Sequence, residues 1–348
     1  MKLLIVEFEN YEAVYSNKMS FLFIFVRGTA GERGEEIMSN RYLGIDIGGT
    51  KTNIGIVSDK GIVLAKKKIG SKHESGVPAF VDCVCDNVNK LLTSCNLTLD
   101  DISSIGIGVP GTVDSKAGIV EYSPNLFGTN VPLAVYFEKK FRRKINMIQD
   151  SWAATWGERM FGAGRNYENF ACVTLGTGIG CGVIMNGNIV YGSMNTAGEI
   201  GHTPIIWSGR SCSCGNKGCL EAYSSGTAIL KQAMELFPEK LIGREKTEIV
   251  FDLMYEGDEQ AKKLIDSCVD KLAYGLAVFI DIMSIDTIII SGGLCVHKDI
   301  IIDPLPELIM GYGYASWANK KRIKVIQAEL ASDAPMIGAA HIFRLFNK

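Results

Sequence analysis

The stretch "RYLGIDIGGTKTNIGIVSD", Arg41 to Asp59, carries the pattern that decides the fold. "RYLGIDI" reads as a buried strand, "GGTKT" as a glycine turn and "NIGIVSD" as a second strand; "GIVLAKKK" supplies a third after the Asp59-Lys60-Gly61 turn. A dinucleotide-binding fingerprint needs a helix N-terminus directly after its glycines, and here β-branched residues continue the extended pattern instead. The Rossmann reading therefore fails. What remains is a hairpin whose tip carries Asp46, Gly48, Gly49, Thr50 and Lys51. Glycines let backbone N–H groups come close to a phosphate, and Thr50 and Lys51 add a hydroxyl and a charge. A merely tight hairpin would share this local signature.

A second copy argues against the bland alternative. "FACVTLGTGIGCGVIMNGNIVYG", Phe170 to Gly192, again runs strand, glycine turn, strand, turn, strand, with Gly176, Thr177, Gly178 and Gly180 assigned to its tip. Two similar hairpins predict two similar lobes, and a cleft with a phosphate loop on each side is suited to a nucleoside triphosphate.

Composition sets the outer limits. At 348 residues, 47% hydrophobic, the chain can bury a core large enough to divide between two lobes. A formal net charge of −2 gives no electrostatic footprint for nucleic acid or an anionic membrane. No apolar run reaches the roughly 18 residues of a membrane span, because "FLFIFV" (Phe21 to Val26) stops at Arg27. Ten cysteines are too few for a disulfide scaffold of this length, which predicts a reducing, cytoplasmic setting. Residues 1–40 show no clear amphipathic period and are read as an extension of unassigned function, with Met38 as an alternative start.

Three cysteines crowd into "CSCGNKGCLEA", Cys212 to Ala222, and His202 precedes them. One imidazole and three thiolates form the Cys3His donor set of a closed tetrahedral zinc site, with Gly215 and Gly218 permitting the sharp reversal. The Cys-x-Cys step is tighter than the common Cys-x2-Cys, so spacing alone also allows reduced cysteines in a loop. In "INMIQDSWAATWGE", an apolar strand ends at Gln149-Asp150 and a helix begins. A carboxylate there could serve as a general base or simply cap the helix.

These motifs together resemble the ROK family of bacterial sugar kinases and related repressors. The resemblance rests on "LGIDIGGTKTNIGIV", "GVPGTVD", "SPNLFG", "LGTGIGCGVIMNGNIVYG", "AGEIGH", "CSCGNKGCLEA" and "IIISGGL", and extends from about Tyr42 to the C-terminus. It implies an α/β, actin-like ATPase (ribonuclease H-like) fold with two lobes, an interlobe cleft and a zinc-binding loop. The expected division is a small lobe over 41–148, completed by a C-terminal helix at about 332–348, and a large lobe over 149–331 carrying the zinc loop 202–219. It further implies ATP with magnesium, a structural zinc, a hexose phosphorylated at its terminal hydroxyl, and a homodimer.

By the same resemblance Asp150 is the catalytic base, and Asp46 organises magnesium. Gly111, Asn125, Gln149, Asp150, Glu199, His202 and Glu221 fall where relatives touch the sugar, while Gly292 and Gly293 leave room for adenine or ribose. His202, Cys212, Cys214 and Cys219 hold zinc. "DAPMIGAAHIF" is expected to be a helix packed back on the first lobe. One departure bears on the substrate. Sugar-phosphorylating members commonly have Asn-Asp at the catalytic strand end, whereas this chain has Gln149-Asp150, which moves the amide one methylene outward. Glucose ranks first, with D-allose and N-acetylhexosamines behind it.

Other functions fit less of the sequence. A sugar-responsive repressor of the same family needs a winged helix-turn-helix, for which residues 1–40 show no pattern. A dehydratase activator would hold an iron–sulfur cluster with its cysteines. A zinc-ribbon interaction module leaves Asp150 and both glycine hairpins unexplained. Zinc is expected to hold Glu199 and Glu221 around the sugar, with the glycine turns at Gly48 and Gly176 indifferent to it.

Overall fold

The computed structural model describes residues 40–71, 75–123, 126–244, 246–318 and 322–346. The expectations placed on residues 1–39, including Met38 and "FLFIFV", and on Asn125 lie outside them. Two five-stranded sheets form the frame. In the first, β1 (Arg41–Ile47), β2 (Lys51–Ser58) and β3 (Val63–Gly70) make an antiparallel meander, and β4 (Ile102–Val109) joins the other side of β1. A three-stranded sheet follows: β5 (Thr112–Asp114), β6 (Ile119–Ser123) and β7 (Gly128–Val131). β8 (Ile145–Gln149) then completes the first large sheet, in the order β3-β2-β1-β4-β8.

The second sheet repeats that plan. It contains β9 (Phe170–Leu175), β10 (Ile179–Met185), β11 (Asn188–Ile189), β12 (Thr287–Ser291) and β13 (Lys324–Gln327), in the order β11-β10-β9-β12-β13. In each sheet a meander comes first, and two further strands add parallel to its first strand. β12, "TIIIS", is buried throughout, as expected for β-branched residues in a strand covered on both faces.

Helices cover these sheets. α1 (Val77–Ser94) carries Pro78 in its first turn and turns Phe80, Val81, Val84, Val88 and Leu91 inward. α2 (Leu133–Phe141) joins the same core, and α3 (Asp150–Phe161) follows β8 without a break. α4 (Gly226–Leu236), α5 (Thr247–Tyr255) and α6 (Glu259–Met283) build the core of the second sheet. Among the described residues no helix is long and apolar enough to cross a membrane.

α7 (Ala334–Ala340) lies against β1, β2, β4 and α3. Its small residues have a steric cause. A Cβ on Gly106 would sit 1.8 Å from the Ala339 carbonyl oxygen, and one on Gly338 would sit 1.8 Å from that of Ala153. The backbones touch where any larger residue would separate them. Contact of α7 with both α3 and the first sheet brings Ile148, Trp152, Cys172, Ile289 and Ala339 into one apolar cluster between the two sheets.

Candidate active site

β1, β4 and β8 run parallel, so their carboxyl ends share one edge, where ligands of open α/β sheets gather. Asp46 near the end of β1 pairs with Gly108 of β4, and Val109 pairs with Gln149 at the end of β8. A Cβ on Gly108 would lie 3.7 Å from the Asp150 Cα and 3.9 Å from Asp46 Oδ1. Gly108 therefore lies between the two aspartates, with Ala153 Cβ also 3.5 Å from that position.

Asp46 belongs to β1 rather than to the hairpin tip, and Asn53 Nδ2, opposite it on β2, donates to Asp46 Oδ2 at 2.9 Å. Burial raises the Asp46 carboxyl to about 6, helped by the Asp150 charge and opposed by the Asn53 hydrogen bond. Thr50 and Lys51 are exposed at the turn, and among the described residues nothing crowds Gly49. Ser71 Oγ donates to the Gly48 carbonyl at 2.8 Å and steadies the turn from the end of β3.

Asp150 is the first residue of α3. Its Oδ1 accepts from Ser151 N at 2.7 Å and Ser151 Oγ at 3.3 Å. A capping aspartate takes the N–H two or three residues onward, so this geometry is not that of a cap. Burial raises its pKa, with a further push from Glu199; the Ser151 hydrogen bonds oppose the shift.

Glu199 reaches the same place from the second sheet's side. Gln149 Nε2 donates to Glu199 Oε1 at 2.9 Å, while the buried Gln149 Oε1 has no partner among the described residues. Trp152 Nε1 of α3 donates to the Ala197 carbonyl at 3.1 Å and ties down the segment leading to Glu199.

The cysteine loop brings the four candidate donors together. One ligand atom from each of His202, Cys212, Cys214 and Cys219 lies within 4.8 Å of the other three. Cys214 Sγ and Cys219 Sγ are 3.8 Å apart, and Cys212 Sγ is 3.6 Å from His202 Nδ1. Zinc–sulfur bonds of about 2.3 Å in a tetrahedron require sulfurs roughly 3.8 Å apart, so the donor set fits that ion.

Glu221 follows the loop and uses both oxygens. Oε2 accepts from Ile179 N at 3.0 Å and Oε1 from Ser213 Oγ at 3.0 Å. Ile179 directly follows Gly176, Thr177 and Gly178, so Glu221 links the residues after the cysteine loop to the second glycine turn.

Other glycines serve local geometry. Gly180 lies inside β10, paired with Thr174, rather than at the tip, and a Cβ there would meet Ser151 Oγ at 2.1 Å. Gly111 has φ +105° and faces the Tyr122 carbonyl, far too close for a side chain. Gly292 has φ +97° and packs on Leu175, whereas Gly293 beside it is uncrowded.

The paired sheets, with carboxylates gathered at the edge of the first, define an α/β two-sheet kinase fold. The family model described as "ROK family" matches residues 42–345. A glucokinase from Thermotoga maritima is 32% identical over 87% of this chain and 97% of its own. A solved ROK family glucokinase from Streptomyces griseus, in complex with glucose and AMPPNP, is 28% identical with a TM-score of 0.76, covering 87% of this chain and 99% of that one. A xylose repressor from Bacillus spizizenii is 26% identical over 91% of this chain and 81% of its own. The chain belongs to the ROK family and is a sugar kinase.

Proposed function

We propose that this protein transfers the γ-phosphoryl group of magnesium-bound ATP to the terminal hydroxyl of a hexose, with glucose first among the candidates. The observation that carries this reading is the position of Asp150, at the open strand edge beside Asp46, with Ser151 engaging only Oδ1. Oδ2 is then the atom that takes the hydroxyl proton as the sugar oxygen forms its bond to phosphorus and the bond to the bridging oxygen of ADP breaks. Asp46 organises the magnesium ion, which prefers one or two carboxylates together with phosphate oxygens. The turns at Gly48–Lys51 and Gly176–Gly178 face the phosphates, and Gly292–Gly293 the nucleoside.

Glu199 and Glu221 accept from sugar hydroxyls, His202 contributes its second ring edge, and Gly111 borders the ring. The free Gln149 Oε1 receives a ring hydroxyl from a site one methylene longer than the common asparagine. Zinc at His202, Cys212, Cys214 and Cys219 holds a loop in place, because a closed site has no open position for water.

A panel of glucose, D-allose and N-acetylhexosamines with MgATP, read by ADP release, tests the reading. Sugar-dependent ADP release with glucose fastest is expected. Sugar binding without ADP release from any hexose would favour the regulator reading, which the likeness to a xylose repressor also supports.

The pH profile follows from Asp46. Its pKa is raised to about 6, so below that pH it carries a proton and loses the charge that attracts magnesium. The kcat/KM for MgATP is expected to fall about tenfold per pH unit below about 6. A flat profile down to pH 5 would contradict the assignment of Asp46.

A further inference from the structure

The second glycine turn is bracketed by the segment that carries the cysteine loop. Ile179 N donates to Glu221 Oε2 at 3.0 Å, and the Gly176 carbonyl accepts from Gly226 N at 2.8 Å. A Cβ on Gly201, next to His202, would lie 2.1 Å from the Ile179 carbonyl oxygen, so the start of the loop presses on the same residue. A Cβ on Gly178 would likewise lie 2.5 Å from Glu221 Oε2.

The loop's closure depends on the four metal-fitting side chains. Glu221 is two residues beyond Cys219, and its second oxygen is held by Ser213, the residue between Cys212 and Cys214. Pro204 and Cys219 form an isolated bridge that brings the two ends of the loop together. Whatever fixes the four donors therefore fixes Glu221, and Glu221 fixes the turn that begins β10. Among the described residues the first turn shows no such support: Gly48 is held by Lys51 and by Ser71 just after β3.

From these contacts we infer that Glu221 is a positioning residue that couples metal occupancy of the cysteine loop to nucleotide affinity. It does so by holding the Gly176–Ile179 turn in the shape that receives triphosphate. This rests on the assignment of that turn to ATP phosphates, and it extends the metal's effect beyond the sugar side. Preorganised backbone donors bind phosphate without first being ordered, and releasing the loop removes that advantage.

The test measures MgADP binding by calorimetry in the absence of any sugar, on the full chain, before and after zinc is removed by a chelator and then restored. Metal removal is expected to weaken MgADP at least about fivefold, and restored zinc to recover it. Zinc-loaded Glu221→Ala is expected to show the same loss with its metal content unchanged. Amide hydrogen exchange at Ile179 should accelerate on chelation while exchange at Gly48 stays as it was. Unchanged MgADP affinity in the chelated protein or in Glu221→Ala would overturn the coupling. So would equal acceleration at Gly48, which would indicate general loosening. An untreated protein that binds no MgADP would overturn the nucleotide assignment itself, and the coupling with it.

Discussion

Asp150→Asn is expected to lower kcat by about 10²- to 10⁴-fold while leaving the fold and MgATP binding nearly intact, since that is the usual cost of losing a general base. The substitution keeps Oδ1 as an acceptor for the Ser151 N–H and Oγ–H, so the start of α3 should hold its shape. What disappears is the atom that can take the sugar proton. Burial and the Glu199 charge both raise the Asp150 pKa, which moves its basicity towards that of an efficient proton acceptor. A variant that keeps more than about a tenth of the wild-type kcat would assign the base to another residue.

Glu158→Ala is expected to have the largest effect on stability. Glu158 is fully buried in α3, and its carboxylate accepts three backbone N–H groups. Ala163 N donates to Oε2 at 2.8 Å, Glu329 N to Oε2 at 3.2 Å and Leu330 N to Oε1 at 2.9 Å. These bonds fasten the end of α3 to the segment between β13 and α7, and so help hold α7 against the first sheet. Removing the side chain strands three donors and leaves a cavity, a combination expected to cost about 3–5 kcal/mol. Glu158→Gln keeps one acceptor oxygen and should lose less. Chemical denaturation followed by tryptophan fluorescence would check both, and an alanine variant within about 1 kcal/mol of wild type would show that water replaces the carboxylate.

The hairpins were legible because β-branched residues and glycine punctuation leave few alternatives over Arg41 to Asp59 and Phe170 to Gly192. Their repetition pointed to two similar halves, and each hairpin begins one of the two five-stranded sheets. The cysteine cluster was legible as well, since its four donors lie within 18 residues, His202 to Cys219. Contacts set by the fold were not. Asn53 meets Asp46 only because the hairpin register puts them opposite, and Gln149 meets Glu199 across 50 residues of chain.

Glu158 looks in sequence like one more polar residue on a helix, and nothing local announces that the loop after β13 returns to it. Gly180 was drawn to the turn by the run of glycines around it. In the structure its missing side chain makes room for Ser151, a neighbour supplied by a different element. Glu221 was legible as an acceptor but not as a strut, because its two partners lie on either side of it in space and upstream of it in sequence.

On this reading the chain phosphorylates a hexose with Asp150 as base. Phosphorus NMR of wild type and Asp150→Asn, each incubated with MgATP and glucose, tests it most directly. A sugar phosphate signal coupled to the two protons of the terminal carbon is expected, growing with ADP in wild type and nearly absent in the variant. Release of inorganic phosphate alone, or the same sugar phosphate formed at a similar rate by Asp150→Asn, would contradict it.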